Sequence, residues 1–330
     1  MRVRSAAPLR RCFQVVAAVL IGSYAVALAG FQIAKGARLR QLERGSRVVT
    51  TPAGAVEFGI GGRGPAVVVL PGSFGGYDQA VAVGRQLLPD TFRVVAISRP
   101  GYLRTPIAVG RTPAEQADAV VPLLDSLGLT RVAVLGISGG GPAALELARR
   151  HPDRIWGMVL VASLSGPKVQ PPARPLPPSV FDRILGAEFA TWWQLVQLER
   201  SGLKALESPI FSPDTKVRLA ADPARLAQYF ELAWFRFPAA LRDAGYRNDR
   251  DQFGRFNFDG FGAIVAPTLV VHGTLDRNAP IEHGDRSAAS IAGAEYLRIE
   301  GADHFASIAR AEEVRARIVA FLGRHAPPGS

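Results

Sequence analysis

A serine between glycines is the pattern in this sequence with the clearest chemical use: residues 136–140 have the sequence Gly-Ile-Ser-Gly-Gly. They follow the apolar run 131–135 and precede a helical pattern that begins at Pro142, so the serine lies on a sharp turn between a strand and a helix. Such a turn lifts the hydroxyl above the sheet, at the positive end of a helix dipole. Because the backbone at this serine is strained, its neighbours must be small. We therefore predict that Ser138 is the nucleophile of an acyl-transfer reaction.

A serine nucleophile needs a general base, and that base needs an acid that orients it. On a strand–turn–helix elbow of this kind the chain order is serine, acid, histidine. This order leaves His304, which lies between a predicted strand and a predicted helix, as the candidate base. The other four histidines precede the candidate acid, begin the helix that follows it, or lie in the Pro- and Gly-rich tail: His151, His272, His283 and His325.

The acid is best assigned to Asp276, in the loop that follows the predicted strand 267–271. Loops beyond the carboxyl ends of parallel strands are where such sheets carry their sites. Asp285 is the alternative acid, although it falls within the next helical pattern. Asp303 adjoins the candidate base but is expected to point away from it, as a solvated loop carboxylate.

Acyl transfer also requires N–H donors for the oxyanion that develops on the substrate. The backbone N–H of Gly139, directly after the nucleophile, is the first candidate. The second is expected from the loop 71–76, with the sequence Pro-Gly-Ser-Phe-Gly-Gly, whose glycines allow a close backbone approach. We favour the N–H of Ser73, with Phe74 as its neighbouring alternative.

Apolar runs alternate with helical patterns over most of the chain, and this alternation predicts the elements that position these residues. Unbroken apolar runs are typical of strands buried on both faces of a parallel sheet. A hairpin over 47–62 precedes them, and the predicted strands are 66–70, 93–97, 131–135, 155–161, 267–271 and 294–299. The fold class is therefore α/β, with a doubly wound, mostly parallel sheet.

The stretch 166–262 interrupts this alternation. It opens with a proline-rich segment over 167–178 and continues with helical patterns rich in aromatic residues. We interpret it as a helical cap inserted into an α/β core that comprises 47–165 and 263–325.

The first 46 residues form a separate region. Residues 13–34 carry no charge, and this is about the length of ~20 residues that a helix needs to cross a bilayer. They are interpreted as a membrane anchor, as part of a signal peptide cleaved after Ala29, or as a buried helix. The protein is accordingly expected to be membrane-anchored, or exported if residues 1–29 are removed. Basic residues at both ends of the apolar segment leave its orientation in a membrane open. Residues 36–46 are expected to be a linker.

The net charge of +11 does not indicate a nucleic-acid partner, because it is concentrated near the N-terminus. Residues 1–47 hold nine basic residues and one acidic residue, which leaves 30 basic and 27 acidic residues in the rest of the chain. The excess charge would instead meet anionic lipid headgroups. The single cysteine, Cys12, excludes an intramolecular disulfide and a cysteine-rich metal site. We expect no metal or organic cofactor.

Together these motifs resemble the α/β-hydrolase superfamily, in its serine-nucleophile branch with a helical cap between strands six and seven. The resemblance covers about residues 47–323, and it implies the α/β-hydrolase fold and the triad Ser138, Asp276 and His304. Pro71 stands where the family usually has a histidine, and Ser98 where it has an aspartate. These departures put the subfamily in doubt and leave the triad intact, and the serine disfavours the branches with an aspartate nucleophile.

We expect a serine hydrolase that cleaves a carboxylic ester or lactone of a small apolar molecule through an acyl-enzyme. The same triad serves carbon–carbon bond hydrolysis or cofactor-free perhydrolysis, and the sequence does not separate these reactions. A membrane-tethered binding protein of the same fold is an alternative from another class. The oligomeric state stays open.

Overall fold

Eight strands form one sheet at the centre of the protein. The computed structural model describes residues 7–167 and 187–327. The order of the strands across the sheet is β1-β2-β4-β3-β5-β6-β7-β8. The bounds are β1 Arg47–Thr51, β2 Gly54–Gly61, β3 Ala66–Leu70, β4 Arg93–Ile97, β5 Val132–Ile137, β6 Ile155–Val161, β7 Thr268–Gly273 and β8 Glu295–Ile299.

The six strands β3 to β8 are parallel to one another. The hairpin β1–β2 pairs with β4, at the edge of this parallel part, in an antiparallel arrangement. The carboxyl ends of β3, β5, β7 and β8 therefore meet at one edge of the sheet, where the loops with the candidate site residues begin. The doubly wound, mostly parallel sheet predicted from the sequence is confirmed, with strand ends shifted by at most two residues.

Helices cover both faces of the sheet. Along β3, Val68 and Leu70 belong to the cluster under α3 (Pro113–Ser126) and α4 (Gly141–Arg150). Val67 and Val69 belong to the cluster under α2 (Tyr77–Leu87) and α11 (Ala311–His325). This alternation follows from the two-residue period of a strand, and it explains why β3 is apolar throughout. The helices outside the inserted segment are α1 Ala7–Arg44, α2 Tyr77–Leu87, α3 Pro113–Ser126, α4 Gly141–Arg150, α9 Ile281–Ser290, α10 Ala306–Ala309 and α11 Ala311–His325.

Among the described residues between β6 and β7 lie four further helices, and we refer to them as the inserted helices. They are α5 Ala187–Ser201, α6 Pro213–Ala221, α7 Pro223–Trp234 and α8 Asp243–Phe253. Aromatic side chains from α7 and the loop before α6 pack on Phe305, beside the candidate base. The proline-rich segment predicted over 167–178 lies, apart from Pro167, outside the described residues.

The N-terminal helix corrects one expectation. The linker predicted over 36–46 is wrong, because α1 continues without a break to Arg44. The physical reason is tertiary packing: Leu42 is buried in the cluster with α2, and its carbonyl accepts a hydrogen bond from the Tyr77 hydroxyl at 2.8 Å. Arg38 pairs with Asp78, in the first turn of α2.

The outer part of α1 has a different environment. Residues 10–26 are almost all exposed, among them Phe13, Leu20 and Val26. By length and composition, Arg10–Arg44 is a helix that could cross a membrane, with a mean hydropathy of 2.1 in its most apolar window. The helix thus has an exposed apolar half and a half that packs on the rest of the protein.

We expect the packed half of α1 to contribute to stability as a core element does. Leu42→Ala should lower the free energy of unfolding by roughly 2–4 kcal/mol, because it removes a buried side chain and leaves a cavity. The matched control is Leu203→Ala, whose side chain is exposed and whose effect should be much smaller. Equal unfolding transitions for the two variants would contradict the packing described for α1.

Candidate active site

Ser138 lies on the turn between β5 and α4 with a positive φ of 50°. This is a strained conformation for a residue with a side chain, and such strain concentrates at functional sites. Residues 138–140 form a short 3₁₀ segment that leads directly into α4. The serine side chain is only partly buried, at the positive end of the helix.

The glycines around Ser138 are required by close packing. A Cβ atom at Gly140 would lie 2.1 Å from the carbonyl oxygen of Leu70, and one at Gly136 would lie 2.7 Å from the Cβ of Ala144. Neither neighbour can move away cheaply, since one is backbone of the central strand β3 and the other is buried in α4. The requirement for small residues at this turn is therefore a consequence of how tightly β3, β5 and α4 approach one another.

His304 bridges the other two predicted triad residues. Its Nε2 lies 3.1 Å from Ser138 Oγ, and its Nδ1 lies 2.7 Å from Asp276 Oδ2. The loops after β7 and β8 supply the acid and the histidine, and they meet the turn after β5 at the same edge of the sheet. The structure thus brings together all three residues that the sequence singled out.

Asp276 is held as a buried carboxylate. Its Oδ1 accepts the backbone N–H groups of Asn278 and Ala279, each at 2.8 Å. Burial by itself would raise the pKa of this carboxyl, but the charge and hydrogen bond of His304, together with His272 and the Ala279 N–H, lower it well below its usual value. The group is therefore ionised at neutral pH and can fix the orientation of the His304 ring.

His272 is a neighbour of the site that the sequence analysis missed. Its buried ring donates from Nε2 to the carbonyl oxygen of Ala279 at 2.7 Å and lies 3.5 Å from Asp276 Oδ2. Chain order correctly removed His272 as the base, but it gave no information about this contact. The sequence spacing could have revealed it, because His272, near the end of β7, is only four residues before Asp276.

The two other aspartates considered as acids lie elsewhere. Asp285 is exposed on α9 and accepts a hydrogen bond from the Tyr296 hydroxyl at 2.8 Å. The expectation that Asp303 is solvated is wrong: it is buried and accepts the backbone N–H groups of Ser212 and Phe305. Ser212 precedes α6, so the carboxylate ties an inserted helix to the loop of His304. This partner is 91 residues away in the chain, which is why local sequence patterns did not reveal it.

The loop 71–76 connects β3 to α2 and passes beside Gly139. A Cβ atom at Gly139 would lie 2.9 Å from Ser73 Oγ, so the Ser73 side chain lies close against Gly139. The N–H of Phe74 donates to the Tyr102 hydroxyl at 3.3 Å. Among the hydrogen bonds of the described residues, none is donated by the Ser73 N–H. Of the two alternatives in this loop, Ser73 has the free amide.

A buried ion pair fixes this loop to the inserted helices. Arg99 and Asp249 of α8 form two parallel hydrogen bonds, Nη1–Oδ1 at 2.8 Å and Nη2–Oδ2 at 2.6 Å. Arg99 also donates to the carbonyl oxygens of Pro71 and Gly72, and Asp249 accepts from Ser73 Oγ at 2.9 Å. Burial opposes the charge on Arg99, but the attraction of Asp249 outweighs it and raises the pKa of the guanidinium.

Ser98, at the position where the resemblance expects an aspartate, has a carboxylate partner from another strand. Its hydroxyl donates to Glu57 Oε2 at 2.8 Å and accepts the backbone N–H of Tyr77 at 2.8 Å. Glu57 lies on β2, is buried, and also accepts from Arg104 Nε at 2.7 Å. The sequence departs from the family pattern at Ser98, while a carboxylate remains beside the start of α2.

The described residues offer no evident metal centre. Across 7–167 and 187–327, no group of three or more His, Cys, Asp or Glu side chains is arranged to hold a metal ion. Both histidines at the candidate site are hydrogen-bonded to protein groups, His304 to Ser138 and Asp276, and His272 to Ala279.

We predict that Asp249→Asn destabilises the protein by about 3 kcal/mol or more, because it leaves the buried Arg99 charge without its partner. Asp243→Asn is the matched control on the same helix, since Asp243 forms an exposed pair with Arg247. Denaturant unfolding of both variants measures the difference. Equal stability of the two would show that the buried pair does not hold α8 against the loop 71–76.

Comparison with known proteins identifies the family to which this chain is similar. The family model described as the alpha/beta hydrolase fold matches residues 65–311. A curated relative, the 2-hydroxy-6-oxononadienedioate/2-hydroxy-6-oxononatrienedioate hydrolase of Cupriavidus pinatubonensis, is 27% identical over 84% of this chain and 95% of its own. An uncharacterized hydrolase of Bacillus subtilis is 21% identical over 85% of this chain and 99% of its own.

Solved structures agree with this match. An alpha/beta hydrolase fold protein from Nakamurella multipartita is 33% identical, with a TM-score of 0.73, over 84% of this chain and 98% of that one. The enol-lactonase from Burkholderia xenovorans is 21% identical, with a TM-score of 0.62, over 84% of this chain and 100% of that one. At this identity the second likeness concerns the fold alone. The chain belongs to the α/β-hydrolase fold family, and it is a hydrolase-family protein.

Proposed function

We propose that the protein is a serine hydrolase that cleaves a carboxylic ester or lactone through an acyl-enzyme. The observation that carries this proposal is the continuous row of hydrogen bonds from Ser138 through His304 to Asp276, at 3.1 and 2.7 Å. Because Asp276 accepts a hydrogen bond from the Nδ1–H of His304, the proton stays on Nδ1 and the Nε2 lone pair faces the serine hydroxyl. That arrangement is the one a general base needs.

The reaction proceeds in two steps. Ser138 Oγ attacks the substrate carbonyl while His304 Nε2 takes the hydroxyl proton, and the same proton then passes to the leaving alkoxide as the ester C–O bond breaks. In the second step water gives a proton to His304 and attacks the acyl-enzyme carbonyl. His304 returns that proton to Ser138 as the acid product leaves. Asp276 stabilises the imidazolium in both steps.

The oxyanion is stabilised by backbone N–H groups in this proposal. Gly139 lies in the first turn of a helical segment, where N–H groups have no acceptor within the helix. Ser73 is the second donor, which is supported by its free amide and by the bond that occupies the Phe74 amide. The Arg99–Asp249 pair holds the loop of Ser73 in place. Such preorganised donors are worth several kcal/mol of transition-state stabilisation, about 3–4 for a single side-chain donor.

An uncharged substrate is favoured by the charges around the loop 71–76. Of the guanidinium groups beside this loop, that of the exposed Arg236 lies over the Phe74 ring at 5.5 Å. The two buried ones, which donate hydrogen bonds to the loop, are already paired with protein carboxylates: Arg99 with Asp249, and Arg242 with Asp78. Neither is available to bind a substrate carboxylate. Phe211, in the loop before α6, and Tyr229 of α7 pack on Phe305 beside His304, which supports an apolar acyl or alcohol group.

Carbon–carbon bond hydrolysis is the second candidate. It is favoured by the similarity to the hydrolase of Cupriavidus pinatubonensis, whose name gives 2-hydroxy-6-oxononadienedioate and 2-hydroxy-6-oxononatrienedioate as substrates. A serine, a histidine and an aspartate would be used in that reaction also. The substrate would then carry carboxylates, which the paired arginines beside the site do not favour.

We further propose that α1 holds the protein at a membrane through residues 13–34. The length and apolar composition of this helix support the anchor, and its exposed half has no protein cover among the described residues. A signal peptide removed after Ala29 is the alternative, and it would leave the packed residues of α1 from Phe31 onward on the exported protein.

The assignment of the acid has a direct test. Asp276→Asn should lower kcat for an activated ester by about 10²–10⁴-fold, because the imidazole loses its orienting carboxylate. Asp285→Asn, the same change at the other candidate acid, should leave kcat close to that of the parent, since Asp285 lies on the surface of α9. Reversed effects of the two substitutions would assign the acid to Asp285.

The reaction class can be tested with a substrate panel. We expect a higher kcat/KM for uncharged esters and lactones with apolar acyl chains than for a 2-hydroxy-6-oxo dienoate, and loss of both activities in Ser138→Ala. A strong preference for acetyl over longer acyl groups would count against an apolar pocket. A higher kcat/KM for the dienoate, equally dependent on Ser138, would favour the carbon–carbon hydrolase.

A further inference from the structure

An aromatic cluster joins α1 to the inserted helices, and we refer to it as the α1–α5 cluster. Phe31 of α1 packs against Phe189, Trp192 and Phe237, with ring centroids 5.4, 5.8 and 6.2 Å apart. Around them lie half-buried apolar side chains from both elements: Ala27, Leu28, Ala34, Trp193, Val196, Ala233 and Trp234. The cluster therefore begins within the apolar run of α1, and not after it.

The length of the exposed part of α1 can be compared with the thickness of a bilayer. The freely exposed apolar stretch 13–26 would rise roughly 21 Å at 1.5 Å per residue. The hydrocarbon core of a bilayer is about 30 Å thick. The exposed stretch alone is therefore too short to span it, and the missing length falls on residues 27–34. These residues are the ones that pack on α5.

The outer face of α1 beside the cluster is itself uncovered and apolar. Val26 and Ile33 are 74% and 72% exposed, although both lie in or next to the segment that packs on α5. Basic residues follow within the next two turns: Lys35 pairs with Glu188, and Arg40 is exposed. An apolar face that ends in basic residues matches the boundary between acyl chains and anionic headgroups.

The tryptophans of the chain are concentrated in the α1–α5 cluster. Three of the four in the chain, Trp192, Trp193 and Trp234, belong to the α1–α5 cluster, whereas Trp156 is buried under the sheet. Trp234 packs its ring in the cluster and donates from Nε1 to Glu199 at 3.0 Å. An apolar ring with a polar end at the surface is the arrangement that places tryptophan at membrane interfaces.

We propose that a lipid bilayer covers the α1–α5 cluster, so that α5 and the end of α7 rest in the membrane interface instead of standing away from it on a tether. The occupant of this apolar face is lipid, because the helix that forms the face has a membrane-type composition and basic residues at its inner end. The inference rests on the proposed membrane anchor and is independent of the hydrolase chemistry.

The test uses tryptophan fluorescence of the full chain in vesicles of phosphatidylcholine and phosphatidylglycerol. Matched vesicles contain phosphatidylcholine brominated on its acyl chains, which quenches only tryptophans that contact lipid. Trp156→Phe retains the three cluster tryptophans and should lose much of its fluorescence in the brominated vesicles. The matched control, Trp192→Phe with Trp193→Phe and Trp234→Phe, retains Trp156 and should lose none. Circular dichroism establishes that both proteins are folded.

Flotation of the same vesicles separates this inference from the proposed anchor. If the protein floats with the vesicles and the cluster tryptophans are not quenched, the anchor stands and the docking of α5 is overturned. A second copy of the chain on this face would give that result, because it would shield the tryptophans from lipid. Failure to float overturns both proposals, while hydrolysis of a soluble ester in detergent would still report on the triad.

Discussion

A single buried carboxylate sets the geometry of the candidate site. Asp276 has no solvent contact through its side chain, and it stays ionised because backbone N–H groups, His272 and His304 surround it with donors. Its Oδ2 accepts a hydrogen bond from the Nδ1–H of His304, which leaves Nε2 to face Ser138. This requires the loops after β7 and β8 to close on each other, and the parallel order of these strands brings them to the same edge. The strained turn at Ser138 completes the row.

Buried ion pairs connect the segments beside the triad to the N-terminal helix. Asp249 joins α8 to the loop of Ser73 through Arg99, and Arg242 joins the segment before α8 to the same loop through the carbonyl oxygen of Phe74. Arg242 shares Asp78 with Arg38 of α1. Because buried charges are costly without partners, loss of one member would disturb all of these segments together. The inner half of α1 is thus part of the folded hydrolase and is not a detachable tether.

Local patterns in the sequence were sufficient for the sheet and for the triad. The strands of a parallel sheet are apolar throughout, and the elbow at Ser138 and the chain order of acid and base follow from short motifs. Contacts between distant segments were not visible: Glu57 beside Ser98, Asp303 beside Ser212, and the packing of Leu42 that turned a predicted linker into helix. These residues owe their states to partners 41 or more residues away or to tertiary burial, and composition describes them only as polar or as linker-like.

Labelling of the full-length protein with a fluorophosphonate, followed by identification of the modified peptide, tests most directly whether Ser138 is an activated nucleophile. The full chain is required, because removal of residues 1–46 would also remove Arg38 and Leu42 from the packed core. The account predicts one modified residue, Ser138, and no labelling of a folded Ser138→Ala variant. A folded parent protein that does not react, or a label on another serine such as Ser73, would contradict it.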